Sequence, residues 1–304
     1  RHGGGERRGA LSRGQRDVQG RGVASLSSFL IGALLGSAVI HAFWNLLLKT
    51  THHRRPVVWW ALIVTNLCCA ALLIARPHSV LPVWPLLAIS AVLEASYYLI
   101  LTAAYKVGDF SLVYPVARGT APGLLAVWAI LVLSERPSAF GVMGILLIAV
   151  GIGVVGWSGR IGKPSKALAL SLLLAVVISV YSIIDGVAVR RVDPVDYTAA
   201  MFFVVTLLLT PVLMGQEGWE GIRGVLRLEP LRIVTIGVMQ LAGYLIVLWV
   251  YSRASVSYGG AIRESSILVG ALLGWRFLAE PFGGRRVVGA VVIVTGVALI
   301  ALAG

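Results

Sequence analysis

The chain alternates long apolar runs with short polar interruptions. Ten mainly apolar runs lie at about 28–48, 57–75, 84–105, 111–133, 138–157, 166–189, 196–214, 231–252, 257–278 and 283–303. Each is about as long as a helix must be to cross the hydrocarbon core of a bilayer. The interruptions, among them "THHRRP", "KVGD", "SERPS", "SGRIGKPSK" and "AEPFGGRR", are built of charges and turn formers. The pattern predicts an all-α integral membrane fold of ten transmembrane helices joined by short loops. One longer connection, residues 215–230, places Trp219, Ile222, Val225 and Leu226 on one helical face, which predicts a short interfacial helix.

Composition supports the same class. The sequence is 58% hydrophobic and 13% charged, well below the roughly one quarter of charged residues usual in soluble domains. A net charge of +13 would suggest nucleic acid in a soluble protein. Here most basic residues flank apolar runs, where a bilayer places them, so no nucleic-acid partner is expected. Residues 1–27 are Gly/Arg-rich without apolar periodicity and read as a disordered basic tail. The run after it is too long for a signal-peptide core and reads as the first span. Cys68 and Cys69 are adjacent in an apolar run, which suits neither a disulfide nor a metal site; no metal or cofactor is expected.

The chain repeats itself. A spacing of 145 residues links Arg118 to Arg263, Glu135 to Glu280, Gly144 to Gly289 and Gly151 to Gly296. A spacing of 146 links Glu94 to Gln240, Tyr98 to Tyr244 and Tyr105 to Tyr251, and one of 140 links His41 to Tyr181 and Asn45 to Asp185. Three blocks in the same order define two units, 28–157 and 166–304, of five spans each. Five is odd, so the two units enter the membrane in opposite senses. Such inverted repeats surround a midplane site that can open to alternate sides, a construction of secondary transporters. Ten spans put both termini on one side; the loop charges and the tail charges favour opposite orientations, so that side is not assigned.

Ionisable residues inside spans are expensive and are functional candidates by default. Arg118, in "VYPVARGTAPGLL", is bracketed by Pro115 and Pro122, and Arg263 follows Gly259 and Gly260. Each arginine therefore sits beside weakened helix, which is tolerated where backbone lines a cavity. The candidate substrate contacts are Arg118, Arg263, Tyr98, Tyr114, Tyr244 and Asn45. The candidates for proton coupling or ion pairing are Glu94, Asp185, Glu264 and His41. The competing reading of the charged residues is buried salt bridges that fix helix register. Lys49 reads as a snorkelling anchor, and Glu135 and Glu280, beside prolines at span ends, read as helix caps.

The segments "HAFWNLLLKT", "YPVARGTAP" with "SERPSAFGVMGILLIAVGIGVVG", and "IRESSILVGALLGWRFLAEPFGGRRVVGAVVIVTGVALI" resemble the EamA family of the drug/metabolite transporter superfamily, from about residue 28 to the end. The resemblance implies two five-helix units and secondary transport, often export, of small metabolites, amino acids or drug-like compounds across a bacterial inner membrane. The expectation is a carrier for a small anionic or zwitterionic metabolite working by alternating access. The alternative is a proton-coupled exporter of cationic or aromatic drug-like compounds, with Glu94 and the tyrosines holding the cation. The expected partners are the substrate and the lipid bilayer, with a second copy of the chain, as a homodimer, a further candidate. An enzyme is not expected, since HExxH, nucleophile-elbow and Walker A patterns are absent from the sequence.

Overall fold

The computed structural model describes residues 28–76, 78–133, 138–156, 165–253, 262–280 and 283–303. The basic tail, Glu135, Gly259 and Gly260 lie outside them. Among the described residues there are ten helices: α1 (Ser28–Thr50), α2 (Arg54–Ala75), α3 (Trp84–Val107, preceded by a short 3-10 turn), α4 (Phe110–Leu133), α5 (Ala139–Gly156), α6 (Lys166–Ala188), α7 (Pro194–Leu228), α8 (Pro230–Tyr251), α9 (Ser266–Leu278) and α10 (Gly283–Ala303). Eight of them are long and apolar enough to cross a membrane, and α9 is a shorter apolar helix. The protein is an all-α, multi-pass membrane protein.

Local chemistry sets several helix starts. The side chain of Asp193 accepts from the amides of Val195 (2.8 Å) and Asp196 (3.4 Å), and Pro194, which has no amide to orphan, opens α7. Ser165 caps α6 by accepting from the amide of Leu168 at 3.2 Å. The connection expected as a separate interfacial helix differs from expectation: it continues from α7, bent at Gly218 with φ 68° and ψ 162°. Ile222 and Val225 are buried, whereas Trp219 and Leu226 stay exposed. The stretch is held against the bundle by the indole of Trp60, which donates to the carbonyl of Ile222 at 2.9 Å.

Helix packing follows the repeat. Exchanging α1 with α6, α2 with α7, α3 with α8, α4 with α9 and α5 with α10 turns most of the main contacts into one another, α4 on α10 being an exception. Thus α1 packs on α8 and α6 on α3, α4 packs on α6 and α9 on α1, and α2 packs on α8 and α7 on α3. The pairs α2–α7, α4–α9 and α5–α10 map onto themselves, as contacts across a two-fold axis must. The α2–α7 pair is pinned at both ends, by Arg55–Glu217 (3.6 Å) and Arg76–Asp196 (3.4 Å). Lys49, Asp109, Glu229 and Glu280 gather at one end of the bundle, called here the Lys49 face.

Candidate functional site

The α4–α9 contact across the axis builds the centre of the site. Arg118 lies about 12 Å along α4 from its start, at 1.5 Å per residue, and is 2% exposed. Pro122 has no amide to offer the carbonyl of Arg118 four residues earlier, so α4 is weakened next to the arginine. Arg118 Nη2 donates to Glu264 Oε1 at 2.9 Å, joining the two halves through a buried ion pair. The repeat is broken at this point. Arg263 is the counterpart of Arg118, but the counterpart of Glu264 is Gly119. Among the described residues no carboxylate lies within salt-bridge distance of the buried Arg263, whose polar neighbours include Tyr251.

Around this pair the polar atoms do not balance. The indole of Trp44 donates to His41 Nδ1 at 3.4 Å, so a neutral His41 carries its proton on Nε2. That Nε2 finds no partner among the described residues, and neither do Arg118 Nε and Nη1 or Arg263 Nε, while the hydroxyls of Tyr114 and Ser266 lie beside one another. All of these can donate. Beside them lies an orphaned carboxylate oxygen, Glu264 Oε2. Both arginines act electrostatically on His41 and on Tyr114, and the ring of His41 lies 6.2 Å from that of Tyr114, so the group is one neighbourhood. Leaving a buried donor unpaired costs roughly 1–3 kcal/mol, more for a charged one. A surplus of buried donors is therefore a surface shaped for an acceptor-rich or anionic group.

The carboxylates occupy the adjacent layer. Asp185 is 1% exposed and has no basic partner within salt-bridge distance among the described residues. It is held by hydroxyls: Ser90 and Tyr197 each donate to Oδ1 at 2.6 Å, and Tyr244 donates to Oδ2. Glu94, also buried, lies near Tyr244 and feels the charges of Asp185, Arg263 and Arg118. Tyr244 thus stands between two carboxylates. Tyr97, Tyr98 and Tyr181 pack edge to face beside them, at 5.3 and 6.2 Å between ring centroids.

The structure brings Arg118, Arg263, Glu264, His41 and Tyr114 into one cluster and Glu94, Asp185 and Tyr244 into the next. Tyr98 is partly occupied, donating to Gln240 Oε1 at 3.3 Å. Asn45 is used on both sides of its amide: Nδ2 donates to the carbonyl of His41 at 2.9 Å and Oδ1 accepts from Tyr105 at 2.8 Å. Ser90, Tyr197 and Ser266 escaped the sequence reading. Ser90 had a signal, standing four residues before Glu94 on α3 and so on the same face. Lys49 departs from the anchor expectation, because its ammonium donates to the carbonyls of Tyr105 (2.9 Å) and Gly108 (2.6 Å) at the end of α3 rather than reaching for headgroups. Glu280 caps a helix, and the helix is α4 of the other half: its two oxygens accept from the amides of Phe110 (2.6 Å) and Ser111 (2.7 Å).

Residues 165–302, the second half of the chain, match the model of the EamA-like transporter family. No curated protein matches the chain. A solved crystal structure, described only as that of a protein, is similar over 90% of this chain and 96% of its own, with a TM-score of 0.61 at 18% identity. At that identity the likeness concerns the fold.

Proposed function

With an EamA-like unit in its second half, the protein is, we propose, a secondary transporter that moves a small anionic or zwitterionic metabolite by alternating access across a bacterial inner membrane. The surplus of buried donors on Arg118, Arg263 and His41 carries this reading. The neutralised Arg118–Glu264 pair joins the halves and forms one wall. Arg263, without a carboxylate partner among the described residues, receives the anionic group of the substrate. Glu94 and Asp185 face that group from the next layer, where a substrate ammonium or a proton balances them. Tyr244, in reach of both, keeps them coupled. An inverted pair of halves around such a site exposes it to each side in turn.

One observation favours a second reading, the proton-coupled export of cationic or aromatic compounds. Glu94 and Asp185 have no basic side chain within salt-bridge distance among the described residues, and tyrosine rings surround them, a setting that suits an organic cation. Proteoliposomes containing the purified full chain decide between the two. An Arg263→Gln variant is expected to lose at least about tenfold in uptake of carboxylate-bearing metabolites. Under the second reading Glu94→Gln abolishes cation movement while Arg263→Gln leaves it intact. A wild-type protein that moves no metabolite under any imposed gradient removes both readings.

A further inference from the structure

The two ends of the bundle are not closed by the same chemistry. At the Lys49 face, Arg286 of α10 is 6% exposed and reaches into the first half. Its Nη1 donates to Ser111 Oγ at 2.7 Å, and its Nη2 donates to Asp109 Oδ2 at 2.8 Å. Glu280 lies 3.9 Å from the same guanidinium and holds the first two amides of α4. Lys49 fixes the end of α3 from the α1 side, through the carbonyls of Tyr105 and Gly108. The ends of α1, α3 and α4 from one half are thereby tied to the α9–α10 corner of the other.

Two backbone features shape this corner. Ala279 takes the left-handed conformation (φ 48°, ψ 36°) and turns the chain so that Glu280 points at α4; a non-glycine residue in that region stores strain. At Gly274 a Cβ would lie 2.8 Å from both Glu280 Oε2 and Ser111 Cβ, so α9 approaches α4 only because this position has no side chain.

The repeat supplies an internal control. At the spacings that relate the halves, Arg286 corresponds to Gly141, Lys49 to Val189 and Asp109 to Ser255. Of the four charged residues only Glu280 has a charged counterpart, Glu135. We propose that Arg286, Glu280, Asp109 and Lys49 form a one-sided latch: the Lys49 face opens only when Arg286 releases Asp109 and Ser111, whereas among the described residues the opposite face carries between the halves the Arg76–Asp196 contact, whose arginine is 58% exposed. The latch rests on the alternating-access reading, and it makes the two openings energetically unequal.

Labelling of a reporter cysteine tests this without transport. Val113→Cys, placed in a Cys68→Ser/Cys69→Ser background, is fully buried one turn below the latch and is exposed to a membrane-impermeant maleimide only when this face opens. In proteoliposomes, Arg286→Ala and Asp109→Asn are each expected to raise the labelling rate at least about fivefold, the smallest effect of a typical coupling energy. Glu280→Gln is a third, independent variant should one of these not fold. Arg76→Ala, which breaks the Arg76–Asp196 contact at the opposite face, is expected to leave the rate unchanged. Unchanged labelling in the folded latch variants overturns the proposal. An equal rise with Arg76→Ala also overturns it, since that reports a loosened bundle. If labelling rises as expected while the wild-type protein moves no metabolite, the latch stands and the carrier reading falls.

Discussion

Gly144 of α5 and Gly296 of α10 lie back to back: a Cβ on either would stand 2.7 Å from the carbonyl oxygen of the other. One step along the same seam, Gly151 and Gly289 repeat the arrangement at 2.9 and 3.0 Å. In sequence Gly144 corresponds to Gly289 and Gly151 to Gly296, so each glycine touches the counterpart of the other, as a two-fold axis requires. Helices in lipid gain little from hydrophobic burial against one another and depend on close backbone approach. Gly144→Ala and Gly296→Ala are each expected to destabilise the folded protein by about 1–3 kcal/mol through overpacking. Gly153→Ala, with nothing within 4 Å of its Cβ, is the control and should be neutral or slightly stabilising. Thermal unfolding in detergent reads all three.

The Arg118–Glu264 pair is predicted to behave as a unit. Each side chain is almost fully buried, 2% and 7% exposed, so removing one leaves the other charged and alone in a medium of low dielectric. Truncating one member of such a pair costs about 3–5 kcal/mol, whereas replacing both with apolar groups is often close to neutral. Arg118→Met and Glu264→Met should therefore each lower the melting temperature more than the double variant does. A double variant that loses the sum of the two single losses would show that the residues act independently, which the 2.9 Å contact contradicts.

Asp185 is predicted to depend on its hydroxyl donors. Hydrogen bonds to a charged group contribute about 1.5–3 kcal/mol each, and three hydroxyls supply them from α3, α7 and α8. Tyr197→Phe should cost stability alone, because its hydroxyl serves Asp185 at the edge of the site. Tyr244→Phe should lower stability and transport together, because Tyr244 also neighbours Glu94. Equal transport by the two variants would remove Tyr244 from the mechanism.

Much of this arrangement is legible in the sequence because it repeats. The spacings of 145 and 146 residues pair Arg118 with Arg263 and Tyr98 with Tyr244 before any packing is known, and the five-span count then dictates an inverted pair of halves. What the repeat cannot reveal is where it is broken. The ion pair joins Arg118 to Glu264, whose counterpart is a glycine, and Asp185 takes three hydroxyls where its counterpart Asn45 takes one. Serine and threonine are so common in membrane helices that Ser90 carries little signal by itself. Lys49 and Arg286 have the positions of headgroup anchors, and only the fold shows that carbonyls and a carboxylate have claimed them.

The bend at Gly218 gives the last prediction. With φ 68° and ψ 162° the residue occupies backbone space that is essentially restricted to glycine. A Cβ there would meet no atom within 4 Å, so any effect of Gly218→Ala comes from the backbone alone. The bend separates the membrane-crossing part of α7 from the stretch that carries Ile222 and Val225 into the bundle and receives Trp60. Gly218→Ala is expected to cost about 1–3 kcal/mol and to release this stretch locally. Faster amide hydrogen exchange over residues 219–228, with exchange in α4 and α9 unchanged, is the expected signature. Uniformly faster exchange would mean instead that the bend supports the whole bundle.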